Sequence, residues 1–190
     1  MKKEEQAIAL EHLKKGYKND YKNEPIVQGI GTKYFTLLEL VPKEDKKISL
    51  GEKIYIGKDD REKIEYIKST LEYKDLTTTA KNELENVAKT LVEENEEKFI
   101  KFFNTTGAIT IKEHSLELLP GIGKKHMEKI LDQRRKEEFK SYEDLEERVE
   151  LMPDPKESLA KRLIEEIKGN TKYRLFTKSK DKKSKKRRKR

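Results

Sequence analysis

The apolar residues of this chain change their period once, near residue 75, and that change sets the order in which its parts are built. From Pro25 to Tyr73 they fall in short β-type runs, PIVQGIG, KYFTLLELV, EKIYIG and EKIEYIKSTLEY, parted by Gly29 and Gly31, by residues 42 to 47 and by residues 58 to 61. In residues 34 to 41, Tyr34, Thr36, Leu38 and Leu40 share one face, while Phe35, Leu37, Glu39 and Val41 share the other. A strand that is apolar on both faces suits a small closed barrel or a covered sheet. Four or five such strands in about fifty residues match the size of an OB-like β-barrel.

Beyond Tyr73 the period becomes helical. Leu84, Val87, Ala88, Leu91 and Val92 fall at i, i+3, i+4, i+7 and i+8, which predicts an amphipathic helix over residues 79 to 93 that opens near Thr77 to Thr79. A second helix over 96 to 104 carries Phe99, Ile100, Phe102 and Phe103 and stops by Gly107. Ser115 is expected to cap a helix containing Leu116 and Leu119, ended by Pro120 and Gly121. The next helix runs from about Lys124 to Lys136 with Met127, Ile130 and Leu131 on one face. Ser141 with Asp144, and Asp154 with Pro155 and Glu157, open two more helices, the last of which stops at Gly169.

The fold class is therefore α+β: a small N-terminal OB-like β-barrel, then an all-helical domain. The expected divisions are a polar segment at 1–24 that is a frayed helix or unstructured, the barrel at 25–75, the helical domain at 76–170 and a basic disordered tail at 171–190. The net charge of +8 is unevenly spread. Residues 178 to 190 hold ten Lys or Arg and one Asp, a net of +9, which leaves −1 for residues 1 to 177. That run has no apolar residue to bury, and it adds a salt-sensitive, sequence-independent attraction for phosphates.

Several function classes are excluded on composition. With no cysteine there is no disulfide, thiolate zinc site, iron–sulfur cluster or cysteine nucleophile. His12, His114 and His126 lie far apart with no H-x-x-x-H pair, so neither metal nor cofactor is expected. There is no Walker A run, no G-x-S-x-G and no carboxylate cluster beside a histidine, so no enzymatic activity is expected. Glu4, Glu5 and Gln6 interrupt the place of a signal-peptide core, and no run nears the roughly 18 apolar residues of a membrane span, which points to a cytoplasmic chain without membrane contact. The abundance of Lys, Glu and Ile without Cys or Trp resembles the composition of proteins from heat-adapted microbes.

The stretch LPGIGK, residues 119 to 124, joins two helices by a turn too short to be anything but a tight hairpin. Gly121 and Gly123 allow positive φ or a close backbone approach, so that successive N–H groups form an anion nest beside a helix start. The helix dipole adds to that site, Lys124, Lys125 and Lys129 supply charge at its rim, and Ile122 points inward to lock the hairpin. Contacts of this kind position a strand without reading its bases.

Here the chain resembles the helix-hairpin-helix family of DNA- and RNA-binding modules. Leu116, Leu119, Pro120, Gly121, Ile122, Gly123, Met127 and Ile130 fill that family's pattern, and ILDQRRKEEFKSYEDL is similar to the continuation found in bacterial DNA-uptake proteins of this class. The resemblance implies phosphate binding at Gly121, Gly123, Lys124 and Lys125. Met127 departs from it, standing where the family usually has a small alanine, which implies a different helix spacing. Such modules often come in pairs, and the helices at 79–93 and 96–104 read as a degenerate first copy. Its acidic connector Glu93-Glu94-Asn95-Glu96 lacks glycine and is expected to be structural. The whole arrangement resembles an uncharacterised archaeal family predicted to bind nucleic acid through an OB fold, over roughly residues 20 to 175.

The expected function is non-sequence-specific binding of RNA or DNA through the hairpin. Tyr34 and Tyr55, with Lys33 and Lys53, are the candidates for base stacking on the barrel, since alternation sends half of Tyr34, Phe35, Tyr55 and Tyr66 into the core. Arg134 and Arg135 either touch phosphates or pair with Glu137 or Glu138. Two alternatives stand beside this reading: a scaffold of a ribosomal or repair complex in which the tail alone meets nucleic acid, and a metal-dependent nuclease.

Overall fold

The computed structural model describes residues 3–17 and 23–177. Five antiparallel strands, β1 (Gln6–Leu13), β2 (Ile26–Gly31), β3 (Leu37–Pro42), β4 (Lys53–Tyr55) and β5 (Ile64–Thr70), form one sheet in the order β4-β1-β2-β3-β5. Helices α1 (Thr78–Glu94), α2 (Glu96–Thr105), α3 (Lys124–Lys136), α4 (Tyr142–Arg148) and α5 (Pro155–Lys168) follow, with single 3-10 turns at Tyr73–Asp75 and Ser115–Leu118. No helix among the described residues is long and apolar enough to cross a membrane.

Residues 6 to 13, expected as a frayed helix or no structure, are β1, an interior strand paired on both sides. The alanines carry the difference. Ala7 and Ala9 turn to one face and Ile8 and Leu10 to the other, and all four are buried. On a strongly curled sheet a small side chain fits the concave side, so AIAL is a two-faced strand.

The sheet curls into a half-barrel whose edges are β4 and β5, so the covered sheet, not the closed barrel, is the form β3 takes. Leu38 and Leu40 lie inside the curl with Ala7, Ala9, Val27 and Ile54. Phe35 and Leu37 face the other way, joining Ile8, Leu10 and Ile30 in a cluster that continues through Leu84, Phe99, Ile130, Leu145 and Leu163 of the five helices. One apolar core thus crosses the division expected at residue 75.

Backbone amides left over at the turns take side-chain acceptors. Gln28, fully buried on β2, accepts from Thr77 N (3.0 Å) and donates to Asp75 O (3.1 Å) and the Tyr17 hydroxyl (3.0 Å). Thr77 caps α1 by accepting from Ala80 N (3.1 Å) and donates to Glu11, so the helix start is bolted to the sheet. Glu4, also buried, accepts from the amides of Lys33 (3.0 Å), Tyr34 (3.0 Å) and Thr36 (3.2 Å), holding the β2–β3 turn in which Phe35 adopts φ 57°.

Residues 171 to 177 belong to the folded part, a correction to the tail expected from 171 onward. The carboxylate of Glu166, 0% exposed on α5, accepts from the amides of Leu175 (2.6 Å), Phe176 (3.0 Å) and Thr177 (2.9 Å) and from Arg162 Nε (3.2 Å). Phe176 packs edge-on against Phe99 (5.0 Å) and Phe102 (5.1 Å). Apolar Leu175 and Phe176 and an acceptor buried in a helix explain the order; residues 178 to 190, which carry the charge run, lie outside the described residues. Glu166→Ala leaves Arg162 buried beside an empty site and frees the strap, so we expect a loss of roughly 3 kcal/mol. For a chain of this size that is a fall of about 6 to 12 °C in Tm, read by circular dichroism.

Candidate functional site

The residues of LPGIGK form the expected turn, but what precedes it is not an α-helix. Ser115–Leu118 is a 3-10 turn capped by His114, whose Nδ1 accepts from Leu116 N (3.1 Å) while Glu117 accepts from His114 N (3.2 Å). Ser115, the expected cap, is buried and donates to Gly107 O (2.8 Å). Four residues between the Ala108–His114 bridge and Leu119 leave no room for more.

Ile122 N donates to Leu119 O (3.0 Å) and closes a turn in which Gly121 takes φ 87°. A side chain at Gly121 would press on Pro153, whose Cγ lies 3.3 Å from the position of a Cβ. Ile122, 3% exposed, points into the core with Leu119 and Ile130, as expected of it. Gly123 is different. Its φ of −92° and ψ of −178° are extended, and a Cβ there would meet nothing within 4 Å. Only one of the two glycines is therefore required by backbone conformation.

Gly123 is the N-cap of α3 and offers no side-chain acceptor, whereas Thr77, Ser141 and Asp154 close α1, α4 and α5. The first intrahelical bond of α3 runs from Met127 N to Gly123 O (3.0 Å), so the amides of Lys124, Lys125 and His126 point out of the helix start with no partner among the described residues. Its first turn holds no acidic residue but has Lys124 and Lys125, both exposed. Positive charge at the positive end of a helix costs about 0.3 to 1 kcal/mol per residue, and an anion placed there reverses the sign.

Other candidates are otherwise engaged. Lys129 donates to Glu150 through its carbonyl (3.3 Å) and carboxylate (3.2 Å), an exposed pair. Arg134 donates to Phe103 O (2.9 Å) and Thr106 O (2.8 Å), closing the C-terminus of α2, and Arg135 pairs with Asp132 (2.9 Å), not with Glu137 or Glu138. A shallow cleft of about 550 Å³ in front of Leu119–Gly123 is walled by Glu117 and Glu165, and Lys124 and Lys125 do not line it. The basic side of the hairpin is the start of α3. Among the described residues no cluster of three or more His, Asp or Glu side chains is placed to hold a metal ion.

On the sheet, Tyr34 and Tyr55 flank the start of β1. Tyr55 pairs with Gln6, Thr32 N donates to Gln6 O (3.0 Å), and Tyr34 N is held by Glu4 two residues away. The sheet thus brings both tyrosines to one end. Tyr55 folds over Gly57 and donates to Asp59 (2.9 Å), which raises its pKa, and Lys53 is tied to Glu94 of α1 (2.9 Å). Lys33 lies 5.8 Å over the Tyr34 ring.

Lys98 was not anticipated. Its ammonium sits 3.8 Å over the Phe35 ring and donates to Lys33 O (2.8 Å), and burial of that group lowers its pKa to about 8 against the opposing pull of Glu4. The arrangement depends on Phe35 turning at positive φ, which no spacing in the sequence announces. The sign follows: between pH 8 and 10.5 the unfolded chain holds a proton that folded Lys98 has released, so stability rises with pH across that window. Urea midpoints of the wild type relative to Lys98→Met should climb from about pH 8 to 10.5; a flat difference would place the ammonium in water.

Three comparisons bear on this geometry. Residues 3–178 match the family model described as Protein of unknown function (DUF655), and the chain belongs to that family. It is 43% identical over 177 residues to the uncharacterized protein MJ0038 of Methanocaldococcus jannaschii, spanning 92% of this chain and 80% of that one. The crystal structure of Af1531 from Archaeoglobus fulgidus, described under the same family model, superposes with a TM-score of 0.84 at 39% identity, covering 92% of this chain and all of that one. The expected likeness to an uncharacterised archaeal family is thus met, from residue 3 instead of about residue 20.

Proposed function

We propose that this DUF655 protein binds the phosphate backbone of RNA or DNA, without sequence specificity, at the open N-terminus of α3. The observation that carries the reading is a helix start whose amides find no partner among the described residues, with no capping side chain, no acid in its first turn and two exposed lysines. Every term of that arrangement disfavours the free protein and favours an anion. On this reading 115–136 is a helix-hairpin-helix element with a shortened first helix, and Gly121, Gly123, Lys124 and Lys125 contact phosphate, with Ile122 the buried lock. Lys129 becomes a phosphate ligand on release from Glu150, an exposed pair that costs little to break.

The half-barrel is read as OB-like, with Tyr34 and Lys33 as its best-placed base contacts. Tyr55 and Lys53 are held by Asp59 and Glu94 and contribute less. The charge run at 178–190 adds general affinity.

Gly123→Asp tests the reading cleanly, because the position has room and an N-cap backbone. The substitution gives α3 the carboxylate cap that Asp154 gives α5, so the variant should be more stable by a few tenths of a kcal/mol. It should also bind labelled single- or double-stranded RNA or DNA about tenfold more weakly in fluorescence anisotropy, a loss of about 1.4 kcal/mol. The comparison is made over a salt series, with the full chain and with a chain ended at Thr177. Undiminished binding by the variant ended at Thr177 would sink the proposal, and so would loss of all binding on removing 178–190 alone.

A further inference from the structure

The turn at 119–123 occurs twice. In the first copy Ile122 N donates to Leu119 O (3.0 Å), Gly121 takes φ 87°, and Leu119 and Ile122 are buried. In the loop between α4 and α5, Met152 N donates to Val149 O (3.2 Å), Leu151 takes φ 58°, Val149 is buried and Met152 packs on the same core. Each turn leads directly into a helix, α3 or α5. The repeated element is therefore here, and not at the α1–α2 connector, where Asn95 alone separates the helices.

The second copy lacks both features that make the first an anion site. The start of α5 is filled by its own Asp154, which accepts from Lys156 N (2.8 Å) and Glu157 N (3.2 Å). The left-handed position that glycine occupies in the first copy is held by Leu151, 83% exposed. A branched side chain at positive φ is unfavourable unless something compensates. For Phe35, the other bulky residue at positive φ among the described residues, the compensation is visible: it is 2% exposed and stacked on Phe99. Leu151 has no such burial.

Its neighbours place it. Pro153, two residues on, packs against Gly121, and Glu150, one residue back, binds Lys129 through carbonyl and carboxylate. Lys129 lies one helical turn past Lys125, so the exposed turn that carries Leu151 lies beside the hairpin and the lysines of α3. We propose that Leu151 is an apolar wedge that enters the stacked bases of a nucleic-acid duplex from the groove beside the strand held at α3. This rests on the phosphate-binding reading above. Backbone contacts fix a duplex in place, and an exposed aliphatic side chain beside them unstacks a base step.

The test uses the full chain with DNA and RNA duplexes carrying 2-aminopurine, whose fluorescence rises on unstacking. The wild type should raise the signal on binding, and Leu151→Gly and Leu151→Ala should abolish that rise while leaving the salt dependence of affinity unchanged. Leu151→Gly should also raise the Tm, since it relieves the backbone. Full enhancement with Leu151→Gly, or no enhancement with the wild type although duplex is bound, overturns the wedge. Gly123→Asp in the same assay separates the two claims: if it weakens duplex binding while the Leu151 variants change nothing, the phosphate site stands and the wedge falls. If Gly123→Asp changes nothing, the phosphate reading fails and takes the wedge with it.

Discussion

A backbone N–H that leaves water must find an acceptor, and much of this molecule is organised around that requirement. Where regular pairing ends, the chain supplies its own carboxylate or amide. Glu4 takes up the amides of residues 33, 34 and 36, Gln28 holds the entry to α1, Asp154 closes α5, and Glu166 gathers residues 175 to 177. Arg134 and Arg148 do the converse work at helix ends, meeting the carbonyls that close α2 and α3. Apart from the local Asp154 cap, these bonds join segments nine or more residues apart in sequence, so the same contacts that satisfy the backbone also set the tertiary arrangement. Against this background the start of α3 stands out for holding bare amides and lysines together.

The concessions to local stability gather on one surface. At α3 two lysines stand at the positive end of the helix dipole, and nearby Leu151 is both exposed and left-handed. Elsewhere comparable irregularities are compensated in place. Phe35 is buried and stacked, and the C-terminal strap is held by Glu166. Departures from local consistency of this kind fit the proposed reading of this surface as a ligand site.

Much of this could be read from the residues. The period change near residue 75, the cap at Thr77, the caps at Ser141 and Asp154 and the stop at Gly169 are local signals, and all lie where the sequence placed them. The inward turn of Ile122 followed from its place in the hairpin between two helices. What was not legible depends on partners distant along the chain. Strand β1 needed Ala7 and Ala9 to be recognised as the lining of a concave sheet. The ordering of residues 171 to 177 needed Glu166, whose role as a buried acceptor looks in sequence like any helix-surface glutamate. Lys129 and Arg134 looked available because Glu150 and the end of α2 are brought to them only by folding.

Charge divides the proposed function between two parts of the chain. Residues 1 to 177 carry a net of −1 and residues 178 to 190 carry +9, so long-range attraction for a polyanion belongs to the latter. The amides at α3 act only at contact, through dipoles and hydrogen bonds that salt screens weakly. The segment is joined at Thr177 to a strap fixed on α5, and that covalent link raises the concentration of any captured strand near the folded part. On the proposed reading a weak, oriented phosphate site suffices, with the tail supplying residence near the strand and the hairpin its position. The salt dependence of binding would accordingly report the tail, and the geometry of the bound strand would report the hairpin.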